Sequence, residues 1–274
     1  MCAPVYAAGD YQDANLNGSI DWDLSFPAVD CDMCLTSWGN GGGKPLPYEC
    51  PDSLREEMST KKRERSLFHG EHVALQQRLL EELNIRGEPF VDVRPGSRFP
   101  PLHLDIPSRP RADFLWPYGA MLVSKRVRDI LCDLCCEDVA TFPVNLRKVG
   151  KREAKLPAPI PKSGEPEDII KEASLLSDTS EVGPYYEAFP RHASNEPPNW
   201  IIEIESRCDA CGRVKAKVAH RKRLDPLRMA DDTWRGHSIF YLGSTGHIVV
   251  TAEVGEALKA VRPSNMRLVE VLCL

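Results

Sequence analysis

No stretch of this sequence approaches 18 uninterrupted apolar residues, so no membrane-spanning helix is expected. The opening residues, Met-Cys-Ala-Pro-Val-Tyr-Ala-Ala-Gly-Asp, carry neither a basic segment nor an apolar one, and no secretory signal is expected. The ten cysteines then belong in a reducing cytoplasm, where Cys-x-x-Cys points to metal or redox chemistry before disulfides. A strong charge imbalance is lacking too. The net charge of −5 gives no whole-chain attraction to nucleic acid or an anionic membrane. There is no Gly-x-Ser-x-Gly elbow, phosphate-binding loop or dinucleotide fingerprint. His69-Gly-Glu-His72 is not His-Glu-x-x-His, Gly70 interrupts its turn, and it reads as a pair of surface histidines. Asp231-Asp232 and Glu203/Glu205 are acidic clusters without a matching catalytic motif. No catalytic residue is assigned, and no enzyme is expected.

What is present begins with enough chain, 274 residues at 42% apolar, for one large domain or two small ones. The 23 prolines fall in runs that suit neither helix interiors nor central strands. Asn17-Gly18 is a turn signal, and Trp22, Leu24 and Phe26 alternate as a strand up to Pro27. A glycine-rich loop spans 39–45, and the charged run 52–65 reads as a solvated helix face. Leu75, Leu79, Leu80 and Leu83 mark an amphipathic helix ending at Gly87. Residues 94–117 read as irregular, with Phe99, Phe114 and Trp116 as core cover.

A strand at 120–123, a cap at Ser124 and a helix face of Val127, Ile130, Leu131 and Leu134 follow. Phe142, Val144, Leu146 and Val149 suggest the returning strand. The same grammar recurs in Ile248-Val249-Val250, the cap Thr251, a helix face of Val254, Ala257, Leu258 and Val261, and a strand from Met266 to Leu272. This predicts an α+β protein with two strand-helix-strand lobes. The division is 1–150 for an N-terminal lobe, 151–199 for a proline-rich connecting segment and 200–274 for a C-terminal lobe. Within the connecting segment, Leu156 to Pro161 reads as extended polyproline and 167–177 as a short helix.

The chemistry lies in two pairs, Cys31-Asp-Met-Cys34 and Cys208-Asp-Ala-Cys211-Gly212, with 173 residues between Cys34 and Cys208. Each pair has the spacing of half a tetrahedral zinc site, and together they make a closed structural site. The second pair is framed by strands at 200–205 and 214–219 in the manner of a zinc ribbon, and Gly212 suits the sharp knuckle turn. In the first pair Leu35 stands where glycine is expected. The alternatives are buried core thiols, a degenerate site, or a redox pair. The last requires a cysteine at a helix start, and neither Cys31 nor Cys208 precedes a helical pattern. Cys132 and Cys135 lie in a helix and, with Cys136, lack a knuckle. Cys50 is a substitute ligand beside Cys31 and Cys34, while Cys2 and Cys273 read as incidental.

Residues 207–228 hold eight basic residues against Asp209 and Asp225, a surplus of six that leaves −11 for the rest. That segment suits phosphate contact in a zinc-ribbon nucleic-acid-binding module, the alternative function. Pairing with the chain's own acidic parts or with solvent ranks first, because only Trp234 and Phe240 follow as stacking aromatics.

The order Trp22, Cys31-x-x-Cys34, Trp38, then Phe114-Leu115-Trp116, a strand into Ser124 and a helix, continues with Cys208-Asp-Ala-Cys211-Gly212-Arg213 and Leu224-Asp225. It closes with Ile239-Phe240, Ile248-Val249-Val250-Thr251 and Arg267-Leu268-Val269-Glu270-Val271. From about residue 20 to the end this resembles the double-CXXCG motif family of bacterial immunity proteins, associated with swarming-inhibition toxins delivered between sibling cells. The resemblance implies a cytoplasmic protein that neutralises a cognate toxin by binding it, with no catalytic residues. Structural Zn2+ is expected on Cys31, Cys34, Cys208 and Cys211.

Overall fold

The computed structural model describes residues 5–9, 19–39, 45–63, 66–85, 93–106, 112–117, 120–148, 184–195, 201–211, 213–220, 227–229, 234, 236–243 and 246–273. The turn at 17–18, the end at Gly87, the polyproline run 156–161, the helix 167–177, Leu224-Asp225, Asp231-Asp232, Gly212 and Cys2 lie outside them. The fold is mixed, with helices Asp52–Arg63, His69–Glu82, Lys125–Cys135 and Ala252–Val261 among many strands.

The helices form where periodicity demands. Leu75 and Leu79 of His69–Glu82 are fully buried, as are Leu54 and Met58 of the charged helix before it. They close a core with Leu24, Phe26, Leu67 and Phe99. Within this core His72 is 4% exposed, with its ring edge-on to Phe26 at 4.7 Å. The surface reading fails for it, because the i, i+3 spacing from His72 puts it on the Leu75/Leu79 face.

Arg98–Ile106 is a strand, not irregular chain, and it is the middle strand of three, between Ser19–Ser25 and Asn145–Lys148. Its prolines are tolerated because of register. The parallel partner covers only His103 to Ile106, and Pro100 and Pro101 sit opposite the register shift between Trp22 and Leu24. Proline takes such bulges because no ladder hydrogen bond is lost.

Two larger sheets share one core. In one the order is Phe114–Leu115, Leu122–Ser124, Tyr185–Pro190, Val139–Pro143. In the other it is Arg228–Met229, Arg267–Cys273, Val5–Gly9, Ile248–Thr251, Ile239–Tyr241. Each helix therefore joins strands that are not neighbours. A strand from elsewhere lies between them: Tyr185–Pro190, placed in the connecting segment by sequence, and Val5–Gly9. Val127, Leu131, Val254 and Leu258 of the two helices pack with Val123, Ala188, Ile239 and Val250 in a single cluster.

Ser124 and Thr251 both precede helices with extended backbone, yet neither side chain caps. The Ser124 hydroxyl instead donates to Asp113 at 2.8 Å. That carboxylate also accepts from Arg126 Nε at 2.7 Å and from the Ser264 N–H at 2.9 Å. The Arg126 guanidinium, aided by these hydrogen bonds, holds the Asp113 carboxyl well below the usual range. The cluster ties the two sheets across 151 residues of chain.

Candidate metal centre

Both cysteine pairs sit on hairpins. Ala28–Cys31 pairs antiparallel with Thr36–Trp38, so Cys31 ends a strand and Cys34 lies in the turn. Ile201–Arg207 pairs with Val214–His220, and the Cys208 N–H donates to the Arg213 carbonyl at 2.9 Å, closing the second turn. The two tips meet. Cys31 Sγ is 3.7 Å from Cys208 Sγ and Cys34 Sγ is 3.8 Å from Cys211 Sγ, with all four sulfurs within 4.8 Å of one another.

Tetrahedral zinc with Zn–S bonds of about 2.3 Å requires sulfurs about 3.8 Å apart. The observed spacing meets that requirement, and the donor set is all thiol. Cys31 and Cys211 are buried, packed with Val29 against Trp38 and Ala210. The Thr36 hydroxyl, 2.8 Å from Cys34 Sγ, draws that thiol down to about 6. A backbone hydrogen bond from Cys211 lowers Cys208, while burial pushes the Cys211 thiol up to about 12. A divalent ion would override this split, since coordinated thiols are deprotonated outright.

Leu35 occupies the knuckle position with φ +50°, the left-handed region that glycine enters without steric cost. Its side chain is 85% exposed, and that of Met33 78%. Clefts flank the joined tips. One, of about 420 Å³, is lined by Met33, Thr36, Asp209 and Lys215, and Arg207 and Arg213 reach it. The other, of about 380 Å³, lies behind Cys211 against Trp38, His72 and Arg94, and the same two arginines line it. In that cleft the buried Nε1 of Trp38 and Nε2 of His72 find no hydrogen-bond partner among the described residues. Desolvation pushes His72 down to about 4, so its imidazole is neutral near pH 7.

The other described cysteines stay apart from the cluster. Cys50 is buried beside Met58, its thiol pushed up to about 11 by burial, and it is no substitute ligand. Cys135 is buried in the shared core, and its thiol is likewise pushed up to about 12. Cys132 contacts Thr141, and Cys136 is exposed. Cys273, read as incidental, is disulfide-bonded.

Sequence reading missed a second convergence, of Asp138, His192 and His237. The three residues share no motif spacing, so only the fold reveals them. Among the described residues no helix is long and apolar enough to cross a membrane. No protein-family model matches the chain, and no curated protein matches it.

Proposed function

We propose that this chain is a non-catalytic binding protein, clasped by a structural zinc ion, that neutralises a cognate toxin in the cytoplasm by forming a stoichiometric complex. The observation that carries the reading is the clasp itself. Four cysteines from two distant hairpins lie at zinc-thiolate spacing and together fill a tetrahedron, leaving no position for a substrate. Zinc supplies a rigid crosslink there. The chain's own residues supply the surface, with Met33 and Leu35 standing out from the first tip and arginine-lined clefts on either side. Exposed apolar anchors beside polar clefts are what a protein partner engages. The resemblance to immunity proteins supplies the kind of partner.

We also read the two larger sheets as related halves that stiffen this surface. The Ser124 N–H donates to the Asp113 carbonyl and the Thr251 N–H to the Ser238 carbonyl, at 2.8 and 3.0 Å, in corresponding places.

Co-purification with the product of the adjacent gene, together with protection of cells expressing that product, tests the reading. A complex and protection are expected, and the loss of both removes the toxin assignment. Arg207, Arg213 and Lys215 around the second tip favour the nucleic-acid reading, but Lys215 is ion-paired with Glu205 at 3.1 Å. Binding to DNA or RNA that falls steeply with salt would put that reading first.

A further inference from the structure

We propose that the cleft behind Cys211 is a binding site for a small organic carboxylate, an acid with an apolar body, held by Arg94, Arg207 and Arg213 beside Trp38. Separate parts of the chain meet to make it. Arg207 ends the Ile201–Arg207 strand and Arg213 follows the second cysteine turn, while Trp38 ends the Thr36–Trp38 strand. Arg94 belongs to the turn that leads into Arg98–Ile106, closed by the Ser97 N–H on the Arg94 carbonyl at 2.9 Å. The Gln76 side-chain amide donates to the Val93 carbonyl at 2.8 Å and ties the His69–Glu82 helix to that turn.

Charge decides what fits. Among the described residues no aspartate or glutamate lines the cleft. Arg207 and Arg213 have no ion-pair partner there either. A zinc ion on four thiolates carries −2, so the clasp and the three guanidiniums together leave +1 around the cleft. His72, neutral near pH 7, adds nothing. A monoanion cancels that surplus, whereas a phosphate dianion overshoots it. The planar guanidinium fork also matches the two oxygens of a carboxylate.

The rest of the wall calls for an apolar body. Val29, Val73, Val93 and Pro95 line it with Trp38, in a volume of about 380 Å³. Small-molecule sites have this make-up, an apolar lining with a few convergent polar groups. Two such groups are unspent. The Trp38 Nε1 and His72 Nε2 are buried without a hydrogen-bond partner among the described residues, which in a folded protein asks for an explanation. Turning either atom toward the cleft breaks no hydrogen bond, because neither makes one. A ligand carboxylate then accepts from the indole N–H, and from the imidazole in its Nε2–H tautomer. The site needs the joined tips but not the toxin, since Met33 lines the other cleft and Leu35 lines neither.

The zinc-loaded full-length chain is titrated with benzoate, acetate, benzyl alcohol and phenyl phosphate by calorimetry. The indole N–H resonance of Trp38, assigned with Trp38→Phe, is followed in parallel. Benzoate is expected to bind at least tenfold more tightly than acetate or benzyl alcohol, and to shift that resonance. Arg213→Gln should weaken benzoate tenfold or more with zinc content unchanged. Acetate binding as tightly as benzoate would assign the cleft to a side-chain carboxylate of a bound protein and overturn the small-molecule site. Tighter binding of phenyl phosphate than of benzoate would overturn the carboxylate assignment. No benzoate binding by either measure overturns the proposal outright. The wild-type series decides the matter even if a variant fails to fold, and zinc content on the same sample tells a lost clasp from an empty cleft.

Discussion

Leu35→Gly should move stability and binding in opposite directions. The backbone at Leu35 has φ +50°, and the left-handed region costs an L-residue about 1–2 kcal/mol. Glycine removes that cost but adds unfolded-chain entropy of about 0.5–1 kcal/mol. The net is a gain of up to about 1.5 kcal/mol, or a Tm rise of up to about 6 °C for a chain of this size. Binding should respond in the other direction. Leu35 is 85% exposed, so nearly all of its side chain is available to a partner. Burying a leucine fully contributes about 1.5–3 kcal/mol. Losing it should weaken the toxin complex about 10- to 100-fold, at about 1.4 kcal/mol per decade. Scanning calorimetry, titration calorimetry with the toxin and zinc content measured on the same sample check all three quantities. Unchanged affinity with zinc retained would show that this tip is not the contact surface. Lower stability would refute the strain argument.

Glu187 is fully buried on the Tyr185–Pro190 strand, and desolvation raises its carboxyl from 4.5 to about 8 against the opposing pull of Arg98 and Trp22. Between those values the folded state holds a proton that the unfolded state releases, so stability falls as pH rises, by up to about 5 kcal/mol over the window. Urea titrations from pH 4 to 8 should show that slope, and Glu187→Gln should flatten it. Gly255→Ala would place a Cβ 2.8 Å from Tyr6 Cδ2. The overpacking cost of about 1–3 kcal/mol should outweigh a helix-propensity gain of about 1 kcal/mol, which thermal melts will register. Gly70→Ala meets nothing within 4 Å and should be neutral to stabilising. Chelating the zinc, or Cys208→Ser, should expose the backbone amides of 28–38 and 201–215 to hydrogen exchange before those of 122–131 and 248–258. Uniform protection in both regions would argue against a clasp.

The elements were largely legible in the sequence, while their neighbours were not. Val127/Leu131 and Val254/Leu258 announce their helices because burial of one face forces a 3.6-residue period. Nothing in a period tells Ile248–Thr251 that Val5–Gly9 will pair beside it, since pairing is decided by long-range packing. The four cysteines stand out because zinc-knuckle spacing is set by local turn geometry. Asp138, His192 and His237 leave no such trace, because three unrelated loops bring them together. Pro100 and Pro101 misled for a related reason. A proline's place in a sheet depends on which residue of the partner strand is skipped.

The position of Val5–Gly9 also bears on how the chain is made. Between Ala8 and its partner Ile248 lie 239 residues, which a ribosome takes about 12–50 seconds to synthesise. During that interval the Val5 strand has neither of its neighbours, and its backbone amides and buried-face side chains are open to strangers. Every pairing in that five-stranded sheet runs through Ile248–Thr251 or Arg267–Cys273, so a chain stopped before them would leave Val5–Gly9, Arg228–Met229 and Ile239–Tyr241 without their sheet partners.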